Sequence, residues 1–276
     1  MTACSLLFWI ALAASAHAAI AVEEMREVAN FTGIVVTDGI MVHVTTTANA
    51  SADGNSTLVL SGTPEALSGV KSSVDAGGML MLSRASGGSS LLVRVTAAVP
   101  GPLTYASATS GGNLIADAVS GNVTVLGQSN VQVEKLESSA PISIMASNES
   151  SMEISSGHVP FLSASCSASS SMALSGLQAD SADIMVSAES HISGMAVRSA
   201  DVKISSNSLL YMTAAGVVNL WCTESEVRIS GDAAAVTEHL NTQCTVHLGS
   251  HERGPTAAAV ASMPPPRRLA ASTMFV

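Results

Sequence analysis

Residues 171–208 read SMALSGLQADSADIMVSAES and HISGMAVRSADVKISSNS, two consecutive segments with the same internal pattern. Each segment carries a pair of apolar residues separated by one position, Ile184 and Val186 in the first and Val202 and Ile204 in the second. Apolar residues with a period of two predict β-strands, whereas a helix needs a period near 3.6. The segments therefore indicate short strands with one buried face.

The same pattern extends in both directions from this stretch. Seven units of 18, 20, 20, 20, 18, 18 and 18 residues begin at Asn113, Val131, Ser151, Ser171, His191, Leu209 and Val227. A fixed period of this size is typical of a solenoid, in which each repeat forms one coil and contacts only its neighbours. Most units close with a small or polar residue, which predicts a column of stacked turn positions: Asn130, Ser150, Ser170, Ser190, Ser208, Glu226 and Cys244.

We predict an all-β fold, a right-handed parallel β-helix (a β-solenoid of 18–20-residue coils) over residues 101–250. The handedness follows the usual rule for parallel crossovers. Such coils hold two or three strands and stack about 4.8 Å apart, the spacing of paired strands. Residues 31–100 lack the repeat and are predicted to form an N-terminal antiparallel β cap over the first coil, with a turn at Asp38-Gly39.

The two ends of the chain differ from this domain. Residues 1–18 contain the apolar stretch Leu6–Ala14 and then Ala16-His17-Ala18, the pattern of a secretory signal peptide cleaved after Ala18. Residues 19–30 are a short acidic lead-in. Residues 251–276 are rich in Pro and Ala, cannot bury a core, and are predicted to be disordered. No later segment is long and apolar enough to be a transmembrane helix.

Charge and cysteine content narrow the functional classes. The net charge is −10 and no basic patch is present, which argues against nucleic acid as a partner. Cleavage after Ala18 leaves three cysteines, Cys166, Cys222 and Cys244, and an odd number leaves at least one thiol unpaired. Cys222 and Cys244 lie in consecutive units and could form a disulfide. The alternative, three buried thiols in a strand stack, stays open.

Several segments follow one another in a characteristic order. The opening strand Phe31–Val36 is followed by a second strand, Gly39–Val44, and by the passage Gly78–Leu82. Val99-Pro100 then leads into coils marked by Ser-Gly pairs, at residues 110–111, 120–121, 175–176, 193–194 and 230–231. This arrangement resembles the putative auto-transporter adhesin head domain, or GIN domain, over residues 31–250. The resemblance implies a secreted or surface protein with a β-helical head, and it supplies no catalytic motif and no cofactor.

Five Asn-X-Ser/Thr sequons are candidate glycosylation sites if the chain passes through a eukaryotic secretory pathway. They begin at Asn30, Asn49, Asn55, Asn122 and Asn148, and Asn49 and Asn55 share one loop. In a bacterium the motif has no such meaning.

Acidic residues of the later coils are the candidates for a cation site or a lyase-like centre. They are Asp180, Asp183, Glu189 and Asp201, with Lys203 as the nearest base. Asp183 and Asp201 are 18 residues apart and could stack, where like charges repel unless a cation or base lies between them. A solvated outer column is the favoured interpretation, and we predict no metal or catalytic site. Trp221, beside Cys222 in a strand, is expected in the core.

The favoured function is a non-enzymatic, secreted or surface adhesion module, periplasmic or on the outer surface if the host is bacterial. Its polar columns would contact cell-surface glycans or proteins. One alternative is a carbohydrate-active lyase or hydrolase on the same scaffold. Another is an envelope or matrix protein that self-associates through its last coil, Val246–Leu248, where a strand edge would otherwise be exposed.

Overall fold

The alternating apolar residues of the repeats point inwards and build a single core. The computed structural model describes residues 21–47, 55–85, 92–231 and 235–249, and in it the chain forms a β-solenoid of about seven turns. Its interior is one continuous cluster of buried Val, Ile, Leu, Met and Ala side chains. The predicted all-β solenoid is confirmed. The signal peptide (1–18), the tail (251–276) and Asn49 lie outside the described residues.

Seven strands and one short helix precede the regular coils in the described part of the chain. They are β1 Val22–Ala29, β2 Gly33–Val36, β3 Ile40–Thr46, β4 Asn55–Gly62, α1 Pro64–Ser68, β5 Val70–Val74, β6 Met79–Arg84 and β7 Val93–Val99.

Fourteen strands follow. They are β8 Leu103–Thr109, β9 Asn113–Leu126, β10 Asn130–Glu137, β11 Ile142–Ser147, β12 Ser151–Ile154, β13 Gly157–Ser167, β14 Ser171–Ala173, β15 Leu177–Val186, β16 His191–Ser205, β17 Leu209–Ala214, β18 Val217–Thr223, β19 Glu226–Ser230, β20 Ala235–Thr242 and β21 Thr245–Gly249.

The coils are held together by two stacks of parallel strands. Stack 1 contains the start of β9, then β10, β12, β14, the start of β16, β17, β19 and β21. One register position runs through it at Asn113, Asn130, Ser151, Ser171, His191, Leu209, Glu226 and Thr245. Five of the seven predicted unit starts coincide with this position, and the other two fall one residue late.

Stack 2 forms the opposite half of each coil. It contains β8, the end of β9, β11, the ends of β13, β15 and β16, then β18 and β20. One of its inward columns is buried throughout the complete coils because every member is apolar: Val123, Ile144, Ala164, Ile184, Val202 and Leu220. The last coil places Glu238 opposite Leu220, so the apolar column ends there.

A buried serine closes the corner between stack 2 and stack 1 in each coil. The column is Ser129, Ser150, Ser170, Ser190, Ser208 and Ser225. A backbone N–H of one coil donates to the serine Oγ of the next, as from Ser150 to Ser170 at 3.1 Å and from Ser170 to Ser190 at 3.2 Å. The predicted column of small or polar corner residues is therefore present. It runs through Ser129 and Ser225 instead of Asn130 and Glu226, because those two residues begin the next strands.

The residues before each serine adopt left-handed backbone conformations. Asn148 and Glu149 have φ of 62° and 59°, and Ala188 and Glu189 have φ of 55° and 59°. Backbone hydrogen bonds join these corners from coil to coil, for example from the N–H of Glu189 to the carbonyl of Ser206 at 2.9 Å. The corners therefore extend the strand stacks instead of interrupting them.

The N-terminal section differs from the predicted antiparallel cap in one respect. Antiparallel pairs do occur, β1 with β4, β4 with β7 and β5 with β6. However, β2 pairs in parallel with β6 and β8, and β3 pairs in parallel with β7 and β9. The Asp38-Gly39 turn is thus a solenoid corner and not a hairpin. Parallel coiling begins near residue 33, and only part of 31–100 is a cover.

The acidic lead-in is an ordered strand. Residues 22–29 form β1, which pairs along its whole length with β4. Between β4 and β5 lies α1, whose N-cap Thr63 accepts a hydrogen bond from the N–H of Ala66 and whose first residue is Pro64. Arg26 of β1 donates to the carbonyls of Val70 and Leu67, which ties the lead-in to this helix.

Candidate functional site

The outer surface of stack 2 consists of three side-chain columns, and we call it the stack-2 face. The strand register places a middle column at Thr124, Met145, Ser165, Met185, Lys203, Trp221 and Leu240. A hydroxyl column flanks it on one side at Ser147, Ser167, Ser187, Ser205, Thr223 and Thr242. An Asx column flanks it on the other at Ser143, Ser163, Asp183, Asp201, Asn219 and Thr237.

The middle column becomes apolar and aromatic towards its C-terminal end. Met185 is 48% exposed and Leu240 is 51% exposed. Between them lie Lys203 and Trp221, with the Lys203 Nζ 5.9 Å from the centroid of the Trp221 ring. Large apolar side chains in a row on an outer face commonly mark an interaction site.

Trp221 points outwards, which corrects the expectation that it belongs to the core. Its strand neighbours Leu220 and Cys222 are fully buried, so the intervening side chain must lie on the opposite face. The register between β18 and β20 skips one residue here, since Leu220 is opposite Glu238 and Trp221 is opposite Leu240. The extra residue, His239, stacks on the Trp221 ring with centroids 4.5 Å apart and planes 13° from parallel.

A shallow groove of about 290 Å³ lies between the middle and hydroxyl columns. Its residues are Met185, Val186, Ser187, Lys203, Ile204, Ser205, Trp221, Thr223 and Leu240. One wall is therefore apolar with a single cation, and the other carries three hydroxyl groups. This composition suits a ligand that has both an apolar face and polar edges.

The acidic candidates separate into two places. Asp183 and Asp201 are direct neighbours in the Asx column, as their spacing predicted. Asp201 accepts a hydrogen bond from Asn219 at 2.7 Å, while one carboxylate oxygen of Asp183 is buried without a hydrogen-bond partner. Lys203 does not lie between the two carboxylates, because it belongs to the next column and faces Trp221.

Asp180 and Glu189 do not join that pair. Asp180 Oδ1 lies 3.7 Å from Arg198 Nη2 and 3.7 Å from His158 Nε2 on the segment between the stacks. Glu189 is exposed at a corner. His158 borders a second open depression, of about 510 Å³, together with Glu137 and Pro160. No three His, Cys, Asp or Glu side chains in the described ranges are placed to hold a metal ion.

Three of the five sequon asparagines have described side chains, and all three are exposed: Asn30, Asn122 and Asn148. Asn30 accepts a hydrogen bond from Ser56 and Asn122 accepts one from the N–H of Ser143. Asn55 is the first residue of β4, and its side chain is outside the described atoms. Glycosylation at any of the five positions stays a prediction.

Cys222 and Cys244 form a disulfide, with their Cα atoms 6.0 Å apart. The bond joins the strand that carries Trp221 to the corner that closes the last described coil. Cys166 is a buried free thiol. Burial raises the pKa of Cys166 to about 11, although hydrogen bonds with the His191 backbone and the Ser190 side chain oppose that shift. Burial also lowers the pKa of His191.

A second aromatic cluster lies on the outer surface of stack 1. The Arg228 guanidinium is 5.0 Å from the Tyr211 ring centroid, and the His191 ring contacts the edge of Tyr211 at 5.5 Å. Arg228 is also paired with Glu226, so its charge is already compensated. Of the histidines in the last coil, His239 contacts Trp221, and His247 Nε2 lies 3.6 Å from Glu226 Oε1.

The profile of one protein family matches residues 30–214, most of the solenoid and its cover. The family is described as "Putative auto-transporter adhesin, head GIN domain". The chain belongs to this family. The GIN-domain match begins one residue before Phe31 and extends to the end of β17, so it includes the strands that carried the sequence resemblance. No curated protein matches the chain.

Solved structures share the GIN-domain architecture at low sequence identity. A putative adhesin from Parabacteroides merdae is similar with a TM-score of 0.73 at 16% identity, covering 83% of this chain and 96% of that one. A putative lipid binding protein from Parabacteroides distasonis gives a TM-score of 0.61 at 14% identity, covering 82% and 96%. A putative adhesin from the same species gives 0.57 at 19% identity, covering 83% and 97%. Likeness at such identity shows the fold alone.

In the described ranges no helix has the length and apolar character required to cross a bilayer. The family match makes this chain an adhesin-like β-solenoid. It names no ligand.

Proposed function

We propose that the chain is a secreted or surface-exposed, non-enzymatic adhesion module that binds glycans or surface proteins through the stack-2 face. The observation that carries this proposal is the in-register arrangement of that face. Equivalent hydroxyl side chains recur in successive coils at about 4.8 Å, at Ser147, Ser167, Ser187, Ser205 and Thr223. A repeated surface of this kind suits many weak contacts acting together.

The hydroxyl column is preorganised by contacts within the stack. Ser167 Oγ donates to Ser147 Oγ at 3.1 Å, and the corresponding strands are fixed by parallel backbone pairing. Fixed side chains lose less conformational entropy when a partner binds. The buried serine column holds the adjacent corner in the same way, so the face behaves as a rigid surface.

The chemistry of the carboxylates supports a binding role over a catalytic one. A glycoside hydrolase needs two carboxylates on either side of the scissile bond, one acting as acid and one as base or nucleophile. Asp183 and Asp201 are adjacent in one column, and Asp201 is engaged by Asn219. Asp180 lies on another part of the coil, where it forms an ion pair with Arg198.

The test is a binding screen of the full chain against immobilised polysaccharides and cell-surface extracts, with loss of polymer followed in the same wells. We expect retention without loss. Ser167→Glu places a charge in the hydroxyl column of the stack-2 face and should reduce retention at least fivefold. Ser171→Glu is the matched control, because Ser171 Oγ makes the corresponding contact to Ser151 Oγ on stack 1.

Three results would contradict the proposal. Loss of a polymer that stops in Asp183→Ala or Asp201→Ala would favour the carbohydrate-active alternative. Equal retention of both glutamate variants would place the binding surface elsewhere. No retention, together with a molecular mass that rises with concentration, would favour self-association through the last coil.

A further inference from the structure

Lys203 is a cation on an otherwise uncharged or acidic face, and no carboxylate of the described residues forms an ion pair with it. Among the described residues of the three columns it is the only Lys or Arg. Asp201 lies two residues before it on the same strand and Asp183 is one coil away, yet Lys203 pairs with neither within 4 Å. Its ammonium group lies beside Trp221 and borders the groove instead.

The groove offers three different kinds of contact in fixed positions. Trp221 and Met185 supply apolar and aromatic surface, Lys203 supplies a positive charge, and Ser205 and Thr223 supply hydroxyl groups. From Met185 to Leu240 the wall crosses three coil steps, about 14 Å at the spacing of paired strands. This length fits several linked rings better than a single small molecule.

The aromatic wall is held in place before any ligand binds. His239 stacks against Trp221 because the irregularity in β20 adds one residue opposite that position. Bulges of this kind redirect side chains and are common beside functional sites. The disulfide from Cys222 to Cys244 fastens the coil that contains His239 to the coil that contains Trp221.

We propose that this groove binds a glycan strand that carries carboxylate groups. Lys203 pairs with a carboxylate, the C–H faces of the sugar rings pack against Met185 and the part of Trp221 that His239 leaves uncovered, and the ring hydroxyls bond to Ser187, Ser205 and Thr223. The inference rests on the proposed function and names the ligand class of the same face. Because the chain has a net charge of −10, long-range repulsion opposes polyanions and the attraction comes from the groove itself.

The experiment uses the full chain with Trp9→Phe, so that Trp221 is the only tryptophan and its fluorescence reports on the groove. The probes are a galacturonic acid trisaccharide and a neutral galactose trisaccharide of the same length. We expect the acidic trisaccharide to change the fluorescence and to bind at least tenfold more tightly, and raised salt to reduce the difference because the pair is exposed.

Two pairs of variants locate the binding. Lys203→Met should weaken the acidic trisaccharide about tenfold, while Lys135→Met should not, because Lys135 is paired with Glu137 away from the groove. Measured by calorimetry, Trp221→Ala should weaken binding of the acidic trisaccharide by a similar factor. Tyr211→Ala, on stack 1, should leave that binding unchanged. Circular dichroism of each variant confirms that it is folded.

The outcomes separate this inference from the proposed function. Equal binding of the acidic and neutral trisaccharides, or acidic binding that Lys203→Met leaves unchanged, overturns the ligand class while the adhesion module stands. Binding in the screen that Trp221→Ala leaves unchanged overturns the groove as the site. No retention of any glycan or surface extract overturns both.

Discussion

Gly176 is a residue whose side-chain hydrogen cannot be replaced without moving the neighbouring coil. A Cβ atom there would lie 2.0 Å from the carbonyl oxygen of Ser155, which is backbone and cannot rotate away. We expect Gly176→Ala to lower the free energy of unfolding by about 1–3 kcal/mol, the usual cost of overpacking. A urea unfolding midpoint measured by circular dichroism provides the test.

Gly101→Ala is the matched control, since a Cβ at Gly101 meets nothing within 4 Å. That substitution should leave the free energy of unfolding within about 0.5 kcal/mol of the wild type, as most surface changes do. If both alanine variants unfold at the same urea concentration, the close approach of adjacent coils at Gly176 is wrong.

Cys166 should be unreactive in the folded protein. Its pKa of about 11 lies above the ordinary value of 9.0, chiefly because burial disfavours the thiolate, and the thiolate is the reactive form. At pH 9 we expect iodoacetamide to modify Cys166 at least tenfold more slowly in buffer than in urea. Peptide mass spectrometry distinguishes it from Cys4. Rapid modification of Cys166 in buffer would show that the thiol is accessible.

The outward orientation of Trp221 could have been predicted from the alternation of apolar residues in its strand. The general tendency of tryptophan to be buried was given more weight. Val218, Leu220 and Cys222 follow the inward period of two, which places residue 221 outside. The expectation of a buried tryptophan came from the general tendency of large aromatic residues. The stacking of His239 was not predictable, because it depends on one extra residue in a strand of the next coil.

The buried serine column holds successive coils together at one edge of the solenoid. Ser170→Ala removes the oxygen that accepts the buried N–H of Ser150. An unsatisfied buried donor costs about 1–3 kcal/mol, so we expect the free energy of unfolding to fall by that amount. Ser171→Ala, one residue later and exposed, should change it by less than about 0.5 kcal/mol. Equal midpoints for the two variants would contradict the role of the column.

The apolar pairs that recur in the coils mark most strands of the solenoid, for example β10, β12, β17 and β19, whereas the pairing of the first strands was not predictable. No such pair marks the Ser-rich β13 or the full lengths of β9 and β16. For β2 and β3, the local signal of a turn at Asp38-Gly39 favours a hairpin. Their true partners, β6 to β9, lie about 45 or more residues away in parallel, and no local pattern contains that pairing.

At the scale of the whole molecule, the two ends of the solenoid are protected in different ways. The N-terminal end is covered by β1, β4, β5, β7 and α1, whereas the last described coil contacts only one neighbour. The Cys222–Cys244 bond closes a chain segment of 22 residues there. In the chain-entropy description, closing a segment of that length contributes about 3 kcal/mol.

Removing this bond should loosen the last coil and spare the others, because contacts in a solenoid are local. In a Cys222→Ala, Cys244→Ala variant we expect amides of residues 235–249 to exchange hydrogen at least tenfold faster, with residues 177–205 unchanged. Reductant added to the wild type serves as the control and should reproduce the pattern. Uniformly faster exchange along the chain would instead indicate a cooperative fold that the bond stabilises as a unit.

The same disulfide has a mechanical consequence. A solenoid pulled from its C-terminal side unfolds strand by strand, so β21 detaches before force reaches Cys244. From Cys244 the force passes directly to Cys222, so the segment between them, which contains β19 and β20, carries no load. The contour length released on stretching is therefore shorter by that segment, and the tension arrives next at β18, the strand that carries Trp221.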